Sequence, residues 1–228
     1  MENMNNKNKI IIWDWGGIVS SHHKGEYNCY TSRIDTINRL NEKTKELDDE
    51  TICKMWDECS RDENGKYISE VIISEDIQQW FERIKKKFEL ECTYDDFYQV
   101  YQEETDKIVF YKDVVSFVHS LKSKCKIGIL SNLTLLDKNR INKHYNLSKF
   151  DFVWLSFELG CRKPDKKIYK IVEEQCKISK KNILFIDDTL ANIETAKQIG
   201  WNVCLATGLE FDKIKESVYK FLEIEEKI

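Results

Sequence analysis

The sequence predicts an α/β fold: a core with a central parallel sheet, plus an inserted α-helical cap domain that interrupts the core after its first strand. Three observations carry this. Short apolar runs alternate with amphipathic stretches through residues 111–228, the pattern of successive βαβ units. One further run of the same kind, residues 9–13, stands alone near the start of the chain. Between them, residues 21–110 have mostly helical period. The expected division is core at 1–20, helical cap at 21–110 and the remainder of the core at 111–228.

Each element has its own signal. Ile10, Ile11, Ile12 and Trp13 form an unbroken apolar run, as in a strand buried on both faces of a parallel sheet. In the cap, Ile77, Trp80, Phe81, Ile84 and Phe88 recur at i, i+3, i+4, i+7 and i+11, one face of an amphipathic helix. Thr93 and Asp96 have capping-box spacing at the head of "TYDDFYQVYQEE". "YISEVII", residues 67–73, is the one cap stretch with strand character. Beyond the cap, "CKIGIL" (125–130), "FDFVWL" (150–155), "NILFID" (182–187) and "WNVCLA" (201–206) bring the sheet to five strands. In "DKKIYKIVEEQ", Ile168, Ile171 and Val172 share a helix face, and "TLANIETAKQIG" runs from an N-cap at Thr189 to a C-cap at Gly200.

Composition narrows the function classes. With 228 residues and 41% hydrophobic content, the chain is long enough to bury a real core. Net charge is −4 and the lysines are interspersed with acids, which reads as solvated helix faces and argues against a nucleic-acid partner. Eight dispersed cysteines with no CxxC pair predict reduced thiols and a cytoplasmic protein. Met1–Lys9 is polar rather than a leader, and no apolar run reaches the length of a membrane span, so no membrane partner is expected.

Four segments fall at or just beyond the C-terminal ends of expected strands, where open α/β sheets place their ligands. They are Asp14, the pair Ser131 and Asn132, Lys163 beside the single proline Pro164, and the pair Asp187 and Asp188. Singly, each is accounted for as a turn residue, helix cap or surface lysine. Adjacent carboxylates at a buried strand end, however, repel each other unless a cation is near. One reaction needs all four together. A carboxylate nucleophile attacks phosphorus and splits a hard displacement into two easier steps through an aspartyl-phosphate. The mutual repulsion of the two anions calls for a hard cation such as Mg²⁺, which Asp14 and Asp188 could hold. The Ser131 hydroxyl and nearby N–H groups suit phosphate oxygens, and the Lys163 ammonium offsets charge on nucleophile and phosphoryl group.

On these residues the sequence resembles the haloacid dehalogenase superfamily, in its helical-cap subgroup of phosphatases. Asp14 in "IIIWDWGGIV", Ser131 in "ILSN", Lys163 in "GCRKPDKKIY" and Asp187 with Asp188 in "FIDDTLAN" match its four motifs in order. The third and fourth are the most specific, and include Gly160 and Asn192. The resemblance implies a Rossmann-like core and a Mg²⁺-dependent phosphohydrolase for a small phosphorylated metabolite, with Asp14 as nucleophile. It implies Ser131, Asn132 and Lys163 at the phosphate. For the metal it implies Asp14, the Gly16 carbonyl and Asp188 as ligands, with Asp187 an outer or second ligand.

The first motif departs from the family pattern. Where the family usually carries a second aspartate, which serves as general acid and base, this chain has Gly16. The carbonyl is kept and the acid–base group is lost, a group that typically contributes about 10² to 10⁴ in rate. Three readings follow. One is a phosphatase, for a sugar phosphate among other candidates, that draws proton transfer from elsewhere, with His22 and His23 as candidates, or that uses a substrate with an easy leaving group. A second is carbon–phosphorus cleavage resembling phosphonoacetaldehyde hydrolases, which needs a cap lysine such as Lys43, Lys45 or Lys54. The third is a catalytically impaired phosphate-binding relative. Tyr27, Tyr30, Trp56 and Trp80 are candidate cap residues for substrate contact, against a role in packing the helical bundle.

Overall fold

The computed structural model describes residues 4–22, 25–68 and 77–223. Five strands, β1 (Ile10–Trp13), β2 (Lys126–Ser131), β3 (Phe152–Leu155), β4 (Ile183–Asp187) and β5 (Asn202–Leu205), make one sheet in the order β3-β2-β1-β4-β5. Every pairing is parallel. Register places Trp13 beside Ile129 on one side and Ile186 on the other, so the ends of β1, β2 and β4 come level. The apolar runs explain the central position of β1. Ile10, Ile11, Ile12 and Trp13 have no exposed surface, which both neighbouring strands and covering helices are needed to achieve.

The helices are α1 (Cys29–Leu40), α2 (Asp49–Cys59), α3 (Ile77–Lys87), α4 (Tyr94–Thr105), α5 (Lys112–Ser120), α6 (Leu135–His144), α7 (Ser156–Leu159), α8 (Lys166–Cys176), α9 (Leu190–Gln198) and α10 (Phe211–Leu222). They separate into two compact units. The first contains Met1–Ser21, Phe110–Asn132 and Leu147–Ile228, and holds the sheet. Its apolar centre runs from Ile10, Ile12 and Phe185 on the sheet to Ile168, Tyr169 and Val172 of α8 and Trp201 before β5.

The second unit contains His22–Val109 together with Leu133–Asn146, and is helical. Its core joins Ile77, Trp80, Phe81, Ile84 and Phe88 to Ile37, Ile52, Trp56, Phe97 and Tyr101. Trp56 meets Trp80 edge-on and stacks on Tyr101. Thr93 and Asp96 close the capping box that opens α4. Residues 133–146 lie beyond the sequence boundary of 21–110. They group with the helical unit because Leu136 joins its apolar core and its carbonyl accepts a hydrogen bond from Gln102 of α4. Of the strand-like run at 67–73, residues 69–73 fall outside the described residues, and Tyr67 makes an isolated bridge to Arg61. All eight cysteines are free thiols. Among the described residues no helix is long and apolar enough to cross a membrane.

Candidate active site

Asp14, Ser131, Lys163, Asp187 and Asp188 all belong to the sheet-bearing unit; the ends of β1, β2 and β4 bring the four others to one place, and the connection between α7 and α8 brings Lys163 there. Asp14 follows β1 directly, and its N–H is held by the Ile186 carbonyl of β4 at 2.9 Å. One carboxylate oxygen, Oδ1, accepts from the Trp15 N–H at 2.6 Å and from the Ser131 hydroxyl at 2.7 Å. The other, Oδ2, lies 2.9 Å from the Lys163 ammonium. That ammonium also donates to Asp187 Oδ2 at 2.6 Å. Lys163 is 1% exposed, so its charge is neutralised by these carboxylates rather than by water.

Asp187 is fully buried and fully engaged. Besides Lys163, it accepts from the Thr189 N–H at 2.8 Å and from Asn192 Nδ2 at both oxygens, 3.0 Å each. Asn192 is fixed in turn by the Tyr169 hydroxyl, which donates to its carbonyl at 3.0 Å. Asp187 is therefore the anchor of the lysine. Asp188 is half-buried and accepts from the Thr189 hydroxyl at 3.2 Å. Asp14, Asp187 and Asp188 each offer an oxygen within 4.8 Å of the others. Three carboxylates against one ammonium leave a surplus of negative charge in a buried setting. Burial, with Asp187 and Asp188 adding to it, pushes the Asp14 carboxyl up to about 7, against the pull of Lys163 and the Ser131 hydrogen bond. For Lys163 burial acts downward, but the charges of Asp14 and Asp187 outweigh it and hold the ammonium above its ordinary value.

The loop after Asp14 is shaped by glycines. Gly17 has φ +74°, and a Cβ there would overlap the Asp188 carboxylate. Its N–H donates to the Ser20 carbonyl at 2.8 Å, and its carbonyl accepts from the Gly208 N–H at 2.7 Å. Gly208 must also be small, because a Cβ would overlap the Tyr111 ring and the Ile18 carbonyl. Gly208 and Tyr111 thus support the loop that carries Asp14, and no local sequence pattern singles them out. Gly65 also has positive φ, +76°, but with nothing within 4 Å of a Cβ. Gly65→Ala is expected to lose about 1 kcal/mol of folding stability from backbone strain alone. Gly17→Ala, which adds overlap with the half-buried Asp188 carboxylate, is expected to lose at least about 2 kcal/mol more. Urea denaturation of the two variants side by side gives the difference; equal losses would remove the role assigned to Gly17.

The other sequence candidates have different surroundings. His22 is exposed, hydrogen-bonds the Cys29 thiol and sits with its ring 6.0 Å from that of Tyr30, all within the helical unit. His23 lies outside the described residues. Lys43, Lys45 and Lys54 are exposed, and Lys45 pairs with Glu42 at 2.9 Å. None has the enclosed setting that lowers a lysine into Schiff-base chemistry. Trp56 and Trp80 are buried in the helical core, Tyr27 donates to Asp35 and Glu104, and Tyr30 is 49% exposed. The side chain of Asn132 is bonded to the main chain of Lys163.

A parallel α/β core with an aspartate–lysine centre at the C-terminal edge of its strands defines the class. The chain belongs to the haloacid dehalogenase-like hydrolase family, whose model matches residues 34–206. That match begins after Asp14 and Gly16, so the first motif rests on the chain's own geometry. A sesquiterpene phosphatase of Aspergillus oryzae is 29% identical over 89 residues, which is 38% of this chain and 45% of that protein. The chain thus spans less than half the length of this curated relative in the match. Among solved structures, a HAD family enzyme of Bacteroides thetaiotaomicron, crystallised with magnesium and inorganic phosphate, is similar with TM-score 0.62 and 16% identity, over 86% of this chain and 92% of that one. A predicted HAD-like family hydrolase from Porphyromonas gingivalis has TM-score 0.64 and 17% identity, over 92% and 97%. Both are likenesses of fold.

Proposed function

We propose that this chain is a Mg²⁺-dependent phosphohydrolase for a small phosphorylated metabolite, a sugar phosphate being the expected type, with Asp14 as nucleophile. The observation that carries the reading is the convergence on Asp14 of a hydroxyl, an ammonium and two further carboxylates in a buried site. The family membership and the phosphatase relative support it.

An Asp14 oxygen would attack phosphorus while the ester P–O bond breaks and the alkoxide leaves as alcohol with a proton from solvent, leaving the phosphoryl group on the carboxylate; water then attacks that phosphorus, releasing inorganic phosphate and restoring Asp14. Lys163 bridges Asp14 and Asp187 in the free protein, so its ammonium is already placed to follow charge onto the phosphoryl oxygens as Asp14 gives up its own. Ser131 holds the nucleophile's oxygen in the free state and offers the same hydroxyl to phosphate. The all-oxygen, net-negative donor set fits a hard divalent cation, with Asp14, Asp188 and the Gly16 carbonyl as ligands and Asp187 behind them. When bound, Mg²⁺ supplies charge screening between the anionic nucleophile and the anionic substrate. The helical unit is the cap in this reading, with residues 21–110 as its main part.

Gly16 has no side chain to protonate the leaving oxygen or to activate water. With an ester whose leaving group departs without protonation, only the water step feels that loss, so breakdown of the aspartyl-phosphate is the slow step and Gly16→Asp should speed it by about 10² or more. The test is a panel of phosphomonoesters, sugar phosphates and a prenyl phosphate included, assayed with Mg²⁺ and with chelator. The expected result is chelator-sensitive phosphate formation from at least one ester, with a burst of alcohol product equal to the enzyme present. No turnover of any ester sinks the reading, and a linear first turnover contradicts the role given to Gly16.

A further inference from the structure

Asn132 was expected at the phosphate, but its carboxamide is occupied elsewhere. Nδ2 donates to the Lys163 carbonyl at 3.0 Å, and Oδ1 accepts from the Lys163 N–H at 2.9 Å. Two hydrogen bonds to the same residue, one to each side of its Cα, fix both the position and the tilt of that stretch of backbone. At the far end of the side chain the ammonium is fixed to Asp187 and Asp14, at 2.6 and 2.9 Å. Lys163 is thus held at both ends. The stem between them is flexible, and its several rotatable bonds would otherwise let the ammonium wander over a distance that matters to the reaction. The lysine sits in the connection between α7 and α8, where a turn from Asp165 N–H to the Arg162 carbonyl is local and gives no tie to the sheet. Asn132 gives that tie. It follows the last residue of β2, next to Ser131, which itself touches Asp14. The same strand end therefore sets the nucleophile through one residue and the lysine through the next.

We infer that Asn132 is a positioning residue that acts on the reaction through Lys163, rather than a phosphate ligand. This rests on the phosphohydrolase reading and deepens it. Swinging the carboxamide toward a phosphoryl group would break both bonds to Lys163. A single new hydrogen bond from Nδ2 to phosphate does not offset the loss of two.

The consequence is a particular division between kcat and KM. A misplaced Lys163 weakens what the ammonium does as charge moves from nucleophile to phosphoryl group, while ground-state phosphate binding keeps Ser131 and the cation. Asn132→Ala is expected to lower kcat by about 10- to 100-fold, the usual scale for misplacing a reacting group. KM should change by no more than about 2-fold. Asn132→Asp, which keeps an acceptor for the Lys163 N–H but loses the donor to its carbonyl, should also lose kcat. A rise in KM with kcat preserved would overturn the inference and restore Asn132 to the phosphate. A second readout needs no substrate: amide hydrogen exchange at Lys163 should accelerate in Asn132→Ala relative to the wild type. Unchanged exchange overturns the clamp even if no ester is turned over, an outcome that would count separately against the phosphohydrolase reading.

Discussion

Asp14→Asn protein is expected to form no phosphate above background on any ester the wild type hydrolyses, a loss of about 10⁴-fold or more in kcat. An amide is a poor nucleophile toward phosphorus, and no other carboxylate in the site is free to replace it. Asp187 has all its lone pairs committed to Lys163, Asn192 and Thr189, and Asp188 is the carboxylate assigned to the cation. The same substitution has an opposite effect on folding. Free of metal, the site holds three acids and one ammonium, and Asp14 keeps its proton up to about pH 7 in the folded chain against an ordinary value of 3.8. The folded state therefore binds more protons than the unfolded chain between those limits. The contribution of Asp14 to stability falls as pH rises through that window and does not recover above it. Asparagine carries no such charge. In chelator, Asp14→Asn should match or trail the wild type near pH 4 and exceed it increasingly up to pH 8, as read by urea denaturation. Mg²⁺ should close that gap by stabilising the wild type more than the variant. A gap that does not change with pH would contradict the charge surplus drawn at the site.

Lys163→Met is expected to be the most damaging single change to the apo protein. The methionine stem fills nearly the same volume, so packing is kept and the lost ammonium is isolated as the cause. Removing one partner of a buried ion pair typically costs about 3–5 kcal/mol, because the remaining charge is left without compensation. Here two buried carboxylates, Asp14 and Asp187, lose their shared partner at once. Activity should fall by about 10² to 10³ through the loss of one preorganised positive group. Mg²⁺ should recover part of the stability, since a cation answers the same excess charge, but little of the rate. Denaturation with and without Mg²⁺, beside phosphate assays, separates the two. Near-wild-type stability in chelator would mean that Lys163 is not the counter-charge of the site.

The sheet and the strand-end positions of Asp14, Ser131 and Asp187 were legible for one physical reason. A parallel strand buried on both faces is written as an unbroken apolar run, and the polar residue that ends it marks the ligand edge. Ile10–Trp13 followed by Asp14, and Ile183–Ile186 followed by Asp187, are both of this kind. Less was legible where a residue's partner lies far along the chain. The role of Asn132 depends on which of many donors and acceptors its amide meets, and Lys163 is 31 positions away. Gly208 and Tyr111 meet beside Gly17 and Ile18 only after the chain has folded. The sequence boundary at 110 put α6 with the core, because nothing local in residues 135–144 shows what that helix packs against. Leu136 packs into the helical unit rather than onto the sheet, which places residues 133–146 there. Trp56 and Trp80 illustrate the opposite case: aromatics at helical spacing filled a bundle core, as that spacing most often means.

The most direct measurement is mass spectrometry of the protein quenched in acid within the first turnover, with Mg²⁺ and an ester that it hydrolyses. The expected result is one phosphoryl group on the peptide that contains Asp14, accumulating in the wild type because Gly16 leaves its breakdown slow, draining faster in Gly16→Asp and absent in Asp14→Asn. Phosphate formation with no phosphoryl group on that peptide, or with Asp14→Asn still active, would contradict Asp14 as the nucleophile.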